Sequence, residues 1–455
     1  ANYDFKGRYL LTGTIRYDGS SKLKDKWAAF PSAAFAWRIS EEPFMQVSAI
    51  NDLKARVSWG YSGNNNGIHP FGTQQAPQTE SLVWYDYAGS VSSGFAPGRP
   101  VNQSLTWEKT REVNFGLDFS LFNSRVQGNI DLYDKLSDGL LMQRTLTVES
   151  GVDYMIDNIG SVNNRGIEIG LTTTNIQKED FRWTTSFMYS HNKNAIRSLY
   201  GKKEDVVGQQ RFIGQPINVI YDYRIIGLWR MDQIEQAAAL GQQPGQAIAQ
   251  DINGDGKITP TDDRTILGSP DPSWIGSFTN NIQYKNFDFS FNLYARQGMF
   301  ISSTFLDEYG PNNTQRGRPK INYDYYVPPG VQRYDWANWE TNADGNPKAV
   351  WGTSGEGNED AKYPHPQNKG PYYGNNGRYT SASFVKLRNI VLGYSLPQEV
   401  ISKWKMSQFR IYANVLNPFV FTSYEGWDPE YATTSLEGGN GPSSITYQLG
   451  VNIRF

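Results

Sequence analysis

Cysteine is absent from the 455 residues of this chain, which excludes disulfides, thiolate metal sites and cysteine nucleophiles. Only three histidines occur, His69, His191 and His365, and they lie in unrelated segments. No metal-hydrolase spacing, nucleophile elbow or phosphate-binding loop is recognisable. Neither sign of charge dominates, with 43 Lys and Arg against 45 Asp and Glu, so nothing indicates nucleic-acid binding. We therefore expect a protein that is not an enzyme.

Long apolar runs are absent as well. No segment approaches the roughly 18 apolar residues of a transmembrane helix, and the mean hydropathy is −0.58. Such values are typical of water-soluble proteins. A transmembrane β-barrel gives them too, because only alternate residues of its strands face lipid.

Apolar and polar residues alternate with a period of two along much of the chain, which predicts β-strands with one apolar face. Most runs are near ten residues, the length that spans a hydrocarbon core when a strand tilts by about 45°. We count about twelve strands in this way. The runs cover 8–17, 31–40, 53–61, 112–121, 125–136, 167–171, 181–193, 274–284, 287–293, 383–396, 409–415 and 447–455.

The connections between these runs alternate between short and long. Short links occur at 122–125, 177–180 and 285–286. This asymmetry is typical of outer-membrane barrels, which have short periplasmic turns and long extracellular loops. A compact soluble domain would rarely contain so many long loops. The predicted loops, rich in Gly, Asn, Pro and Tyr, are 63–104, 137–164, 194–273, 298–382 and 418–444.

Two further features support a closed transmembrane sheet. In the final run, Tyr447, Leu449, Val451, Ile453 and Phe455 alternate with polar residues up to the last position. An apolar strand face that continues to the last residue should fray unless something buries it. In a barrel strand, contact with lipid buries such a face. The run 383–396 changes phase between Leu387 and Ile390, which a β-bulge would reconcile.

The sequence resembles the SusC/RagA-like TonB-dependent outer-membrane transporters of Bacteroidetes. The matching stretches extend over the whole length of the chain and occur in the order expected for that family. The stretches that carry the resemblance are Arg8-Tyr9-Leu10-Leu11-Thr12, Arg16-Tyr17-Asp18-Gly19-Ser20-Ser21, Phe30-Pro31-Ser32-Ala33, Trp37-Arg38-Ile39-Ser40-Glu41-Glu42, Trp107-Glu108-Lys109-Thr110, Asn114-Phe115-Gly116-Leu117-Asp118, Asn158-Ile159-Gly160, Asn164-Arg165-Gly166-Ile167-Glu168, Val385-Lys386-Leu387-Arg388-Asn389 and Leu392-Gly393-Tyr394.

The resemblance implies that the chain, 1–455, is the C-terminal part of a transmembrane antiparallel β-barrel of 22 strands. The signal peptide, the plug domain and the first strands would then lie outside this sequence. The family also implies a SusD-like surface lipoprotein as partner, TonB acting through the plug, and outer-membrane lipid around the barrel. It implies import of glycans, oligosaccharides or peptides. A structural or adhesive surface barrel and a passive porin remain alternatives.

One loop carries a metal-binding pattern. Asp251, Asn253 and Asp255 occupy positions 1, 3 and 5 of an EF-hand-type or dockerin-like calcium loop, the carbonyl of Lys257 position 7, and Asp262 position 12. Ca²⁺ prefers such hard oxygen ligands, and the intervening glycine permits the sharp turn. The alternative is an ion-free cluster of Asn-Gly and Asp-Gly turns. Calcium would stiffen the loop 194–273.

Aromatic and charged residues complete the set of candidates. Flat rings suit sugars, peptide side chains and protein partners, but they also pack loops and form membrane girdles. The aromatic loop residues are Trp84, Tyr85, Tyr87, Trp229, Tyr309, Tyr323, Tyr325, Tyr326, Trp336, Trp339, Trp351, Tyr372, Tyr373 and Trp427. The charges predicted to face the interior, where they would pair or line a path, are Lys54, Arg56, Glu112, Asp118, Glu168, Lys386, Arg388 and Arg410.

Overall fold

A computed structural model gives the fold of the chain. It describes residues 1–68, 73, 82–95, 102–150, 154–309, 325–327, 333–334, 340–341, 347–348, 351–352, 358, 360–364, 372–433 and 443–455.

Thirteen strands form one antiparallel sheet in which every strand pairs with its neighbour in sequence. The prediction of an all-β antiparallel fold is therefore confirmed. The strands are Asn2–Phe5 (β1), Tyr9–Gly19 (β2), Trp27–Arg38 (β3), Ile50–Asn64 (β4), Glu108–Leu121 (β5), Val126–Thr145 (β6), Tyr154–Gln177 (β7), Phe181–Leu199 (β8), Trp274–Tyr284 (β9), Phe287–Gln297 (β10), Phe384–Ser395 (β11), Gln408–Thr422 (β12) and Thr446–Arg454 (β13).

Two details differ from the sequence prediction. The count is one higher because β1, only four residues long, is too short to show alternation. The connection predicted at 137–164 shrinks to 146–153, because β6 and β7 are 20 and 24 residues long. Their outward side chains become polar at the pair Asp134 and Arg165, so the apolar alternation stops although the backbone pairing continues.

The connections at the two ends of the sheet are unequal. Residues 122–125, 178–180 and 285–286 link strands at the short-turn end, and Phe122, Asn123, Ser124 and Lys285 there adopt positive φ values between 50° and 61°. At the long-loop end, paired short segments occupy the connections. These are Leu82–Tyr87 with Ser90–Phe95, Ile220–Tyr223 with Arg264–Gly268, Ile225–Leu228 with Ala247–Ala249, Phe300–Ser302 with Tyr379–Ser381, Arg333–Tyr334 with Trp351–Gly352, and Glu340–Thr341 with Pro347–Lys348.

Helices are short. The α-helices are Ile234–Ala239 (α1), Thr304–Tyr309 (α2) and Gln398–Ile401 (α3), and single 3₁₀ turns cover Ile39–Glu41, Val148–Ser150, Val207–Gln209, Met231–Gln233, Asn376–Arg378, Ser402–Trp404 and Pro429–Tyr431. Within the described ranges, no helix has the length and apolar character required to cross a bilayer.

The ladder register places all apolar alternations on one face of the sheet. Residues directly opposite each other in antiparallel strands share a face. A row of such partners can be followed across nine strands, and nearly all of its members are apolar. It runs Leu53, Phe119, Gly128, Leu171, Phe187, Phe278, Leu293, Leu387, Phe419. Phe187, Phe278 and Phe419 are exposed, as expected for a face that meets hydrocarbon.

The predicted bulge in β11 is confirmed. The register shifts between Asn292 and Leu293 on one side and between Leu387 and Asn389 on the other, so that Arg388 has no direct partner on either side. The extra residue brings Leu387 and Ile390 onto the same apolar face.

Aromatic rings gather on this face near both ends of the strands. At the long-loop end, Tyr17 stacks on Trp27 at 5.6 Å and Tyr189 lies 5.9 Å from Trp274. At the short-turn end, Phe287 and Tyr394 lie 4.7 Å apart, and Trp404 and Phe409 lie 6.4 Å apart. Two aromatic belts bordering an apolar band are typical of a transmembrane barrel wall.

The buried apolar clusters lie at the long-loop end, where loops pack on strand ends. One contains Leu23, Phe30, Leu105 and Trp107. Another contains Ile301, Phe305, Leu306, Ala382, Tyr424 and Ala432, and a third contains Val162, Ile196 and Leu199. The sheet itself therefore has no central apolar core, and its two faces have opposite character.

A charge on the apolar row tests this assignment. Leu171→Lys should lower the free energy of unfolding in lipid vesicles by about 2–4 kcal/mol, because the ammonium would meet hydrocarbon. The neighbouring Thr172, which points to the other face and contacts Ser186, provides the matched control Thr172→Lys. Urea titrations followed by tryptophan fluorescence would measure both. Equal losses would contradict the assignment of the faces.

Candidate functional site

The second face of the sheet is polar, and a row of direct ladder partners defines it. The row runs Lys54, Asp118, Asn129, Gly170, Met188, Ser277, Tyr294, Lys386, Val420. Since opposed residues share a face, Lys54 and Lys386 point to the same side although six other strands separate theirs. This polar face is the candidate functional surface.

Ion pairs cross this face near β4, β5 and β6. Lys54 Nζ lies 2.7 Å from Asp118. The Arg56 guanidinium donates two hydrogen bonds to Asp118, at 3.0 and 2.8 Å, and reaches Asp131 at 3.1 Å. Further along the strands, Lys135 pairs with Glu112 at 3.3 Å. The charges predicted to face the interior therefore do share one face here, and they are paired.

Arg410 forms a second bidentate pair, with Asp288 at 2.7 and 2.5 Å. Lys386 and Arg388 pair with Asp428 and Glu430. Glu168, unlike the other charges predicted to face the interior, pairs with no cation in the described part of the chain.

Two glycines leave room for the two arginine–aspartate ion pairs that reach across an intervening strand. Gly116 separates Arg56 from Asp131 in the ladder, and a Cβ on Gly116 would lie 2.5 Å from the guanidinium carbon. Gly393 separates Asp288 from β12, and its Cβ would lie 2.4 Å from both Arg410 and Asp288. Sequence reasoning missed this arrangement, although glycine inside a strand is a known signal of close approach.

A shallow groove of about 500 Å³ lies on the polar face between β6 and β11. Amide and hydroxyl side chains line it together with Glu168 and with Met188, which is 64% exposed. The polar-face residues that line it are Asn129, Glu168, Met188, Ser190, Ser277, Asn292, Tyr294 and Arg388. The groove has the mixed polar and apolar lining of a binding surface.

The long connections are fastened together by a buried carboxylate. Asp222, 2% exposed, accepts hydrogen bonds from the Asn375 amide at 2.9 Å and from the Tyr379 hydroxyl at 3.0 Å. Gly374, at φ 56°, allows this approach, since its Cβ would fall on the carboxylate. Burial and the adjacent charge of Asp222 raise the pKa of Tyr379 to about 12, so its hydroxyl stays a proton donor. The loops 200–273 and 298–383 are thereby joined.

The structure divides the predicted aromatic loop residues. Trp84, Tyr85, Tyr87 and Trp427 are exposed, whereas Trp229 and Tyr326 are buried. Tyr325, Tyr372 and Tyr373 are half-buried, and Tyr309 lies at the end of α2. Among the aromatic side chains that the structure describes, the exposed group presents its rings most openly to a ligand or partner. Tyr323, Trp336 and Trp339, like His69 and His365, lie outside the described residues, as does the side chain of Trp351.

The calcium-type loop is folded tightly around its own side-chain oxygens. The Asp251 carboxylate accepts from the amides of Gly254 at 2.7 Å and Gly256 at 2.8 Å, and both glycines adopt φ 76°. Asn253 and Asp255 accept from backbone amides two residues further on.

Two consecutive carboxylates close the loop in different ways. Asp262 accepts from the Thr259 hydroxyl. Asp263, fully buried, accepts from the amides of Ile252 and Thr259, so it fastens the loop and is not a ligand candidate.

The calcium hypothesis stays a prediction. In the described part of the chain, no three His, Cys, Asp or Glu side chains are grouped closely enough to share an ion. An ion would therefore have to draw on the amide oxygen of Asn253 and the carbonyl of Lys257 beside Asp251, Asp255 and Asp262. Oxygen ligands of this kind fit Ca²⁺.

Together, the continuous antiparallel sheet, its apolar outer face with aromatic belts, its polar inner face and its unequal ends define the wall of an outer-membrane β-barrel. The polar face is therefore the lumen wall, the short-turn end is periplasmic and the long-loop end is extracellular.

Comparison with known proteins identifies the family. Residues 1–233 match the family described as TonB dependent receptor-like, beta-barrel, and the chain belongs to this family. The predicted resemblance, fold class and outer-membrane localisation are confirmed.

Two curated relatives match this chain along its entire length. The TonB-dependent receptor P39 of Formosa agariphila is 31% identical over 508 residues, 45% of its own length. The TonB-dependent receptor SusC of Bacteroides thetaiotaomicron is 30% identical, with 43% of its length covered. The chain thus spans somewhat under half the length of these relatives.

A solved structure of the RagAB peptide transporter has the same fold. It superposes with a TM-score of 0.73 at 21% identity, covering 100% of this chain and 47% of that chain. The RagAB importer in the open-open state gives 0.74 at the same identity.

Gly393→Ala should destabilise the wall, because the added methyl group would enter the Arg410–Asp288 pair. We expect a loss of about 1–3 kcal/mol in vesicle unfolding. Gly13→Ala is the matched control, since nothing lies within 4 Å of a Cβ there. If both substitutions changed the unfolding free energy equally, the glycine would not be needed for the ion pair.

A separate prediction concerns calcium binding by the loop 251–262. Asp251→Ala with Asp255→Ala, or chelation of the unaltered protein, should speed proteolysis within 200–273, because an ion that fixes the loop would be lost. The control Asp232→Ala removes an exposed carboxylate of the same connection. Unchanged protection after chelation would exclude a structural ion.

Proposed function

We propose that this chain forms part of the wall of an outer-membrane importer for bulky nutrients, of the glycan, oligosaccharide or peptide classes. The observation that carries the proposal is the polar lumen wall with its groove beside Glu168. Polar groups that remain open to solvent along such a wall can exchange hydrogen bonds with a passing oligomer. Charges such as Arg56 and Asp118 are already paired with each other in this wall.

The closed barrel requires more strands than this chain provides. In the sheet, β1 and β13 each pair on one side only, and an open sheet edge is not tolerated within hydrocarbon. The matched relatives have about twice the length of this chain, which supports closure by further strands of the same transporter and gating by a plug that TonB pulls.

Exposed aromatic rings at the extracellular end favour binding of a protein partner. Trp84, Tyr85 and Tyr87 lie on the hairpin 82–95, and Tyr and Trp commonly anchor protein interfaces. We propose a SusD-like surface lipoprotein as that partner, by analogy with the SusC relative. No catalytic role is proposed, because the matched relatives are receptors of TonB-dependent type.

Uptake measurements in the native host test the import function. Deleting the gene should abolish growth on one oligomer class at limiting concentration but leave growth on its monomers unchanged. A protonophore should stop import by the intact strain, because TonB-driven transport uses the proton-motive force. Uptake that persists with the protonophore would favour a passive porin. Uptake that is unaffected by the deletion would favour a structural or adhesive role.

A further inference from the structure

Lys386 is the most deeply buried charged residue of the lumen wall, with 1% of its surface exposed. Its ladder partners Tyr294 and Val420 lie on the polar face, so its ammonium points into the lumen and not into lipid. A lysine in this position would be open to water unless another segment covered it. The covering segment comes from the connection after β12.

Two carboxylates of that connection hold the lysine. Lys386 Nζ lies 2.9 and 3.2 Å from the oxygens of Asp428 and 2.8 Å from Glu430. Glu430 also accepts from Arg388 at 2.7 Å. Two cations and two anions therefore compensate each other, which explains how the charges can be buried.

The guanidinium of Arg388 is itself fixed in the lumen. It lies 3.9 Å from the centroid of the Tyr294 ring, in the arrangement of a cation–π contact. The bulge that removes Arg388 from the ladder allows this side chain to turn inward. Both cations therefore belong to the rigid wall, and both carboxylates belong to the loop.

Further contacts secure the same segment, residues 423–433, which we call the strap. The Tyr424 hydroxyl and the Ser303 hydroxyl lie 2.7 Å apart, and the Ala432 carbonyl accepts from the Thr304 amide at 3.2 Å. Asp428 also accepts from the Glu430 amide at 2.9 Å and so begins the turn Pro429–Tyr431. The strap thus runs along the inside of the wall at the extracellular end.

We propose that the strap is a movable constriction of the lumen, closed by the Lys386–Arg388–Asp428–Glu430 cluster and displaced when substrate passes. A buried ion pair suits such a role, because its net contribution to stability is small while both partners are present and its loss is costly when one is removed. The apolar cluster around Ile301 and Phe305 gives the closed position its packing. The inference rests on the proposed import function.

The first test measures the position of the strap without any transport. Ala432 is 5% exposed, and Ala432→Cys introduces a thiol into a chain without cysteine. A membrane-impermeant maleimide should label this thiol slowly in intact cells. Adding Lys386→Met should speed labelling by about tenfold or more, because two buried carboxylates lose their lysine.

Lys54→Met is the matched control for labelling. It removes a lysine of the same ladder row that pairs with Asp118, so it should leave the rate unchanged. Combining Lys386→Met with Asp428→Asn should bring the rate back toward the starting value, because Glu430 still pairs with Arg388 and no uncompensated charge remains. Equal rates with and without Lys386→Met would overturn the closing role of the cluster.

The second test asks whether the strap must move. Thr304→Cys with Ala432→Cys places two thiols at positions whose backbones are hydrogen-bonded. Oxidation should link them, with a mobility shift as evidence, and import should fall at least tenfold until a reductant restores it. Import at the unaltered rate by the linked protein would overturn the proposal. Failure of the unmodified protein to import would instead refute the proposed function and leave the labelling result standing.

Discussion

The structure depends on one constraint, which is that backbone amides and carbonyls within hydrocarbon must be hydrogen-bonded inside the protein. An antiparallel meander satisfies it strand by strand, and here every strand pairs with its neighbour in sequence. The two-residue period of a strand then sends alternate side chains to lipid and to the lumen. Rows such as Leu53–Phe119 outside and Lys54–Asp118 inside follow from the same ladder, one residue apart.

Much of this could be predicted from the sequence, because alternation records the environment of each face. The bulge in β11 was predicted from the change of phase alone. The parts of the sheet that were not predicted lack a regular alternation of apolar and polar residues. β1 is too short, and β6 and β7 continue beyond the lipid, where Asp134 and Arg165 replace apolar outward residues. Beyond this pair the strands pack against loops, with Val162 buried beside Ile196 and Leu199, so a regular alternation of apolar and polar residues no longer indicates the pairing.

The contacts within the candidate site were harder to predict for a different reason. Lys386 and Asp428 are 42 residues apart, and in the sequence each resembles an ordinary charge, one in a lumen-facing strand and one in a polar turn. Only the fold brings them together and excludes water from them. The calcium-type loop is the converse case, since all its candidate ligands lie within residues 251–262 and their spacing is evident in the sequence.

The extracellular loops obtain order without a large apolar core, and buried carboxylates explain how. Asp222 and Asp263 are each at most 2% exposed, and each accepts hydrogen bonds from backbone amides of its own or another segment. A carboxylate can accept several such bonds at once, and charge makes each stronger than a neutral bond. Together with the apolar clusters at the strand ends, a few such carboxylates position long polar connections. The exposed residues between these fixed points, such as Tyr87 and Val91 of the hairpin 82–95, have no packing requirement of this kind and so tolerate change.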